Sequence, residues 1–161
     1  MSLVAEYRSA RSREDVSRLR RVLALRAMAA SGRTQRQIAE DLGISQSAVS
    51  QQLNAKRALD VDGIPATTEV LLEAAAPLVK ELAAQMGFTD VAVFGSVARR
   101  DARADSDIDL LVAPQAGATL EDMSRFRDVV ERLIGRAVDV VSYGGLKPGI
   151  DDDILREAVP L

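Results

Sequence analysis

Residues 107–112 read Asp-Ile-Asp-Leu-Leu-Val. Side chains of an extended chain alternate between two faces. Asp107 and Asp109 therefore share one face, while Ile108, Leu110 and Val112 share the other. Such a segment is a strand buried on one side only. A chain that contains it must supply a sheet with one apolar face and helices to cover that face. Two further segments fit the same sheet. Residues 90–96, DVAVFGS, alternate into Gly95, and residues 137–143, AVDVVSY, place the single carboxylate Asp139 between Val138 and Val140. Strands are thus expected near 90–95, 107–113 and 137–142.

The covering helices can also be read. Residues 68–87 place Leu71, Leu72, Ala75, Leu78, Val79 and Leu82 on one side, and Gly87 ends the run. Pro77 lies within it, so it either begins a second helix or kinks one long one. Residues 119–135 read as a helix capped by Thr119, with Leu120, Met123, Phe126, Val130, Leu133 and Ile134 as its buried stripe.

The chain has no cysteine and no histidine. Thiol nucleophiles, disulfides, histidine triads and histidine- or thiolate-held zinc are therefore excluded. Any metal must be held by oxygen, which favours hard ions such as Mg²⁺ or Mn²⁺. Asp107 and Asp109, roughly 7 Å apart along one face of a strand, can converge on such an ion. Gly95-Ser96 ends the preceding strand and is followed by the helix-compatible VARR. The glycine admits close approach of a ligand, while the Ser96 hydroxyl and the free N–H groups of the turn can hold phosphate oxygens. If Asp139 lies on a neighbouring strand, three carboxylates face a phosphate turn. Two Mg²⁺ ions in such a site would clamp the attacking and leaving oxygens of an in-line displacement, and the third carboxylate could help deprotonate the attacking hydroxyl. Asp105 is a rival for the first carboxylate, but the apolar alternation after Asp107 fixes the frame.

Charge is divided along the chain. Residues 1–57 hold 11 Lys/Arg and 5 Asp/Glu, a net of +6, whereas residues 58–161 carry −9. This points to two modules with different partners. In the basic part, Leu19, Val22, Leu23, Leu25 and Met28 lie near helical spacing, and Gly32 stops the run. A second helix starts at a Thr34 cap and carries Ile38, Ala39 and Leu42 on one face. Gly43 makes a sharp turn that needs positive φ, Ile44 plugs it, and Ser45 caps a short helix with Ala48, Val49 and Leu53 inward. That is a helix-turn-helix. Its outward face presents Gln46, Ser47, Ser50, Gln51 and Asn54, side chains able to read base edges. Arg33, Arg36, Lys56 and Arg57 flank it and suit phosphates. The stretch RALDVDGIPATT, with turn signals at Asp62-Gly63 and Ile64-Pro65, is the expected linker. The reading is therefore α+β: an all-α helix-turn-helix domain over 1–60, then a small mixed sheet flanked by helices over 61–161.

Both modules resemble known families. Gln35, Ile38, Ala39, Leu42, Gly43, Ile44, Val49 and Leu53 are similar to the helix-turn-helix of phage-repressor-like bacterial regulators. Gly95-Ser96, a ten-residue spacing, Asp107-Ile108-Asp109 and a later strand Asp139 resemble the minimal nucleotidyltransferases of the DNA polymerase β superfamily. The tail VDVVSYGGLKPGIDDDILREAV resembles that family's close, a strand leading through a Leu-Lys-Pro turn to a helix. The resemblance implies that Gly95 and Ser96 bind the triphosphate of ATP or another nucleoside triphosphate. It also implies that Asp107, Asp109 and Asp139 hold two Mg²⁺ ions. After Ala98-Arg99 the family commonly has glycine; Arg100 stands there instead, to crowd the loop or to add a phosphate contact.

Bacterial members of this family often act as antitoxins that transfer AMP to a hydroxyl of a HEPN-type toxin. The resemblance thus implies such a partner, and a fused helix-turn-helix would suit repression of the protein's own operon. The alternatives are a transcription regulator whose nucleotidyltransferase fold only senses nucleotide, and transfer to a small molecule. The DNA partner is a duplex, and a homodimer is expected from the way helix-turn-helix proteins bind paired half-sites. No run approaches the ~20 apolar residues of a membrane span, and the N-terminus lacks the apolar core of a signal peptide. A cytoplasmic location, away from membranes, is expected.

Overall fold

In a computed structural model of the chain, residues 2–55, 57–61 and 63–161 are described. Lys56 and Asp62, named above as a phosphate contact and a turn residue, lie outside that set. Helix α1 runs Leu3–Ala30, α2 Gln35–Leu42 and α3 Gln46–Asn54. A two-rung hairpin, β1 (Asp60–Val61) and β2 (Ile64–Pro65), leads to α4 (Thr68–Gln85). Then follow β3 (Phe88–Phe94), the single turn α5 (Gly95–Ala98), β4 (Ile108–Pro114), α6 (Leu120–Ile134), β5 (Val138–Ser142), a 3-10 turn at Tyr143–Gly145, α7 (Asp152–Glu157) and β6 (Val159–Pro160).

The main sheet has the order β5-β4-β3-β6 and is mixed. The strand pair β3–β4 is antiparallel, β3–β6 antiparallel and β4–β5 parallel. Ile108, Leu110, Val112, Val91, Val93 and Val138 join one buried cluster with α1, α4 and α6. The alternation of residues 107–112 thus sorts as expected, with aliphatic residues into the core and carboxylates away from it. Helix α6 begins at Thr119, whose hydroxyl accepts from Asp122 N at 3.1 Å while the Asp122 carboxylate accepts from Thr119 N at 2.9 Å. This reciprocal cap satisfies two N–H groups that the helix leaves unpaired. Phe126, Val130, Leu133 and Ile134 are buried as the stripe requires, and so is Val129. Leu120, placed in that stripe by sequence, is 83% exposed.

Helix α4 passes through Pro77 without interruption. The stretch expected to be a linker is packed: Ala58 and Ala66 are buried, and the Arg18 guanidinium donates to the carbonyls of Ala58 and Asp60. Helix α1 is far longer than its apolar stripe. Its C-terminal half serves two cores. Leu19, Leu23 and Ala27 enter the large cluster, while Leu25 packs with Ile38, Ala39 and Val49 of the helix-turn-helix. Among the described residues no helix is long and apolar enough to cross a membrane.

Candidate active site and DNA-binding face

The three carboxylates are brought together by strand pairing. In the parallel β4–β5 register Asp109 stands directly opposite Asp139, so the two share one face of adjacent strands about 4.8 Å apart. Across β4, Phe94 pairs with Asp109, which sets Gly95 beside that carboxylate. Asp107 sits two residues before Asp109, just ahead of the strand, and its charge acts on Asp109.

Gly95 has φ +69, a left-handed conformation that costs glycine little. A Cβ built on it would overlap Asp109 Oδ2 and lie 3.3 Å from Asp109 Cγ. Only glycine lets the chain turn this close to the carboxylate. The Ser96 hydroxyl is half-exposed beside it and makes no hydrogen bond among the described residues.

Asp109 is half-buried, whereas Asp107 and Asp139 are exposed. Burial raises the Asp109 pKa above the ordinary carboxylate value, and the charges of Asp139 and Asp107 raise it further, while Arg99 acts in the opposite sense. Asp105 does not contribute, which agrees with Asp107 as the first member of the group. Among the described residues no three acidic side chains lie close enough to form a closed metal cage as they stand. The donor set is nonetheless all oxygen, shares one face of the sheet and suits a hard cation.

Arg99 was not singled out from sequence. It pairs with Glu157 of α7 at 2.8 Å and with Asp101 at 3.4 Å. It is the nearest cation that acts on Asp109. The signal available was its place, three residues after Ser96 on the turn that follows the phosphate-type loop. Its partner lies 58 residues away, beyond any local pattern.

Arg100 has φ +60. It therefore holds a backbone conformation that glycine adopts freely, which accounts for glycine being usual there. A cavity of about 670 Å³ lies between α4 and the β6 edge. Arg100 lines it along with Glu69 and Glu73, and none of the three carboxylates does. The close approach of Gly95 and the charge effects among Asp107, Asp109 and Asp139 coincide at the carboxylates, away from this mainly apolar cavity.

The helix-turn-helix is built as the sequence implies. Thr34 and Gln37 form a reciprocal cap, Gly43 turns at φ +66, and Ser45 accepts from Ala48 N. Ile38, Ala39 and Val49 are buried, but Leu42 and Ile44 are 47% and 40% exposed, so they border the core without filling it. On α3, Gln46 and Gln51 are exposed and make no hydrogen bond among the described residues. Ser47 meets Ser45 at 3.0 Å, and Asn54 donates to Ser50 at 3.2 Å. Arg36 pairs with Glu40 at 3.3 Å, and Arg33 with Asp41.

Comparison with known proteins matches both halves. Residues 78–161 match the family described as polymerase beta, nucleotidyltransferase. Residues 19–57 match the bacterial regulatory protein family of arsR type, which refines the likeness to phage repressors and begins inside α1. A protein adenylyltransferase named MntA, from Thermococcus cleftensis, is 39% identical over 80 residues, covering 50% of this chain and 81% of that protein. A Methanocaldococcus jannaschii protein, provisionally named a protein adenylyltransferase, is 40% identical over 73 residues, 45% of this chain and 78% of its own. A solved structure, provisionally titled a minimal nucleotidyltransferase, superposes with a TM-score of 0.54 at 48% identity, covering 58% of this chain and 95% of that one.

Proposed function

The chain belongs to the polymerase β nucleotidyltransferase family and carries an arsR-type helix-turn-helix, and on that premise we propose that it transfers AMP from ATP to a protein hydroxyl. In this reading Gly95 and Ser96 receive the triphosphate, and Asp107, Asp109 and Asp139 hold two Mg²⁺ ions. The ions would neutralise charge on the phosphates and orient them. The acceptor hydroxyl oxygen attacks the α-phosphorus. The bond from that phosphorus to the bridging oxygen breaks, pyrophosphate leaves, and the hydroxyl proton passes to the Asp139 carboxylate. The observation that supports this most directly is the register that sets Asp109 opposite Asp139 and against Gly95.

The relatives named as protein adenylyltransferases favour a protein acceptor, and a co-encoded HEPN-type toxin is the partner we infer. The division of labour falls near residue 60, with residues 1–60 reading duplex DNA and 61–161 carrying the transfer. Gln46, Ser47, Ser50, Gln51 and Asn54 face the bases, Arg36 the backbone, and a homodimer on an inverted repeat in the protein's own promoter closes an autoregulatory loop.

The test is incubation with Mg²⁺, ATP labelled at the α-phosphate and the co-encoded partner. Label should pass to the partner, weaken with Ser96→Ala and vanish with Asp109→Asn. Binding of Mg-ATP with no transfer to any co-encoded protein would instead make the fold a nucleotide sensor that controls transcription.

A further inference from the structure

A second charged feature lies outside the carboxylate site and outside the outward face of α3. A cleft of about 320 Å³ is lined by Arg26, Ala29 and Ala30 of α1, Leu53 of α3 and Arg132 of α6. It is where the recognition helix, the shared helix and the transfer domain meet. Its polar lining is two guanidinium groups and no carboxylate.

Neither arginine is neutralised. Arg26 has no hydrogen bond or ion pair among the described residues, and its guanidinium lies against Gly135 at the end of α6. Arg132 meets only the backbone carbonyl of Asp128, at 3.1 Å. The acids of α6 are all engaged elsewhere: Glu121 with Arg125, Asp122 in the cap, Asp128 with Arg127, and Glu131 with the N–H of Val138. Next to Gly135, Arg136 donates only to the Gly135 carbonyl, and its Nε is buried without an acceptor. Two guanidinium groups that line one cleft without a carboxylate leave donors available to an anion. By contrast, the arginines expected from sequence to meet phosphate, Arg33, Arg36 and Arg57, already hold Asp41, Glu40 and Asp60.

We propose that the Arg26–Arg132 cleft binds a backbone phosphate of the same duplex that α3 reads, so that the transfer domain itself touches DNA. This rests on the DNA-binding reading of the helix-turn-helix. Leu53 forms one wall of the cleft, and the next residue, Asn54, lies on the outward face of α3. A duplex lying on that face brings its sugar-phosphate chain past the end of the helix. Phosphate contacts fix orientation without reading sequence, and a guanidinium fork matches a phosphate in both geometry and charge. Bound this way, the duplex would clamp α3 to α6 across α1.

The test uses the full chain and fluorescence anisotropy, with promoter DNA and a random duplex of equal length, across a salt series. Arg132 is exposed, so Arg132→Glu should leave the fold intact, checked by its thermal melt. It should weaken binding about tenfold on both duplexes and reduce the slope of log Kd against log salt by about one. Arg26→Gln should act in the same direction. Arg125→Glu makes the same charge change two turns earlier on α6 and should change the slope little. Equal losses in Arg132→Glu and Arg125→Glu would reduce the effect to net charge and overturn the site. Unchanged binding in Arg132→Glu would do the same. If inorganic pyrophosphate raises the melting temperature of the wild type but not of Arg132→Glu, and the DNA slope is unaltered, the cleft serves a free anion and the DNA contact is refuted. A wild type that binds neither duplex overturns both this inference and the reading beneath it.

Discussion

Four buried side chains, Leu25, Ile38, Ala39 and Val49, hold the helix-turn-helix together. On the other side of α1 a much larger cluster joins the sheet to α4 and α6 and takes Leu19 and Leu23 from the same helix. The two regions also carry function differently. In the sheet, the carboxylates are placed by backbone pairing and contribute nothing to the core. In the helix-turn-helix, the reading face lies one helical diameter from a core of four residues. Substitution in the sheet's site should therefore remove chemistry and spare the fold. Substitution under α3 should remove the reading face while the larger core persists.

Asp109→Asn is the sharpest test of the first half. If Asp109 holds metal as proposed, its loss should remove several kcal/mol of transition-state stabilisation, a fall in transfer rate of about a thousandfold. The fold should not suffer. The Asp109 pKa is raised in the folded protein, by burial first and by Asp139 and Asp107 next, so its ionisation opposes folding. The stability associated with its protonated form is present below the unfolded pKa and is lost as pH rises through the folded one. At neutral pH, without metal, the variant should thus melt above the wild type, and the gap should close in acid. A melting temperature below the wild type at pH 7 would show that the carboxylate is structural.

The next largest effect tests the independence of the two cores. Leu23→Ala and Leu25→Ala each remove a fully packed side chain and should cost about 2–5 kcal/mol. Leu23→Ala should lower DNA binding and transfer together on heating. Leu25→Ala should abolish DNA binding at a temperature where transfer continues. If both activities fail together in Leu25→Ala, the molecule is one cooperative unit and the comparison breaks. Point substitutions are preferable to excising residues 1–57, because that cut would strip Leu19, Leu23 and Ala27 from the core beneath the sheet.

Smaller effects refine each half. Gln51→Ala should cost about 1–3 kcal/mol on the specific site and little on random duplex, read from binding isotherms at one salt concentration. Arg100→Gly should stabilise the protein by about 1 kcal/mol, because a left-handed backbone is strained for arginine and free for glycine; chemical denaturation would show it. No gain would mean that the arginine side chain offsets its backbone strain through contacts in the cavity beside Glu69 and Glu73.

Much of this was legible in the residues. Period-two alternation separated Asp109 from Ile108, Leu110 and Val112 on β4, because a strand allows no other partition. Thr34, Gly43, Ser45 and Thr119 each stand where cap or turn chemistry demands them. What escaped had no periodic trace. The first half of α1 is exposed on all sides, so no apolar stripe announces it. Leu120 is apolar, yet it is the first residue of α6 and lies about 120° around the helix from Phe126. The hairpin β1–β2 and the strand β6 have two residues per strand, too few for any period. The order of the strands, and with it the pairing of Asp109 with Asp139, depends on long-range contacts that no local pattern encodes.

One consequence follows from the sheet's borders. A strand at the rim of a sheet is an invitation to a strand from another molecule, and proteins that stay dispersed in solution must refuse it. On one rim, β6 pairs with β3 through Val159 and Pro160, and a proline has no N–H with which to stitch on a neighbour. On the other rim lies β5, whose second residue, Asp139, carries an exposed carboxylate. An exposed carboxylate on this rim opposes the addition of a further strand, so Asp139→Val should cost the protein solubility and, if Asp139 serves the reaction as proposed, chemistry as well.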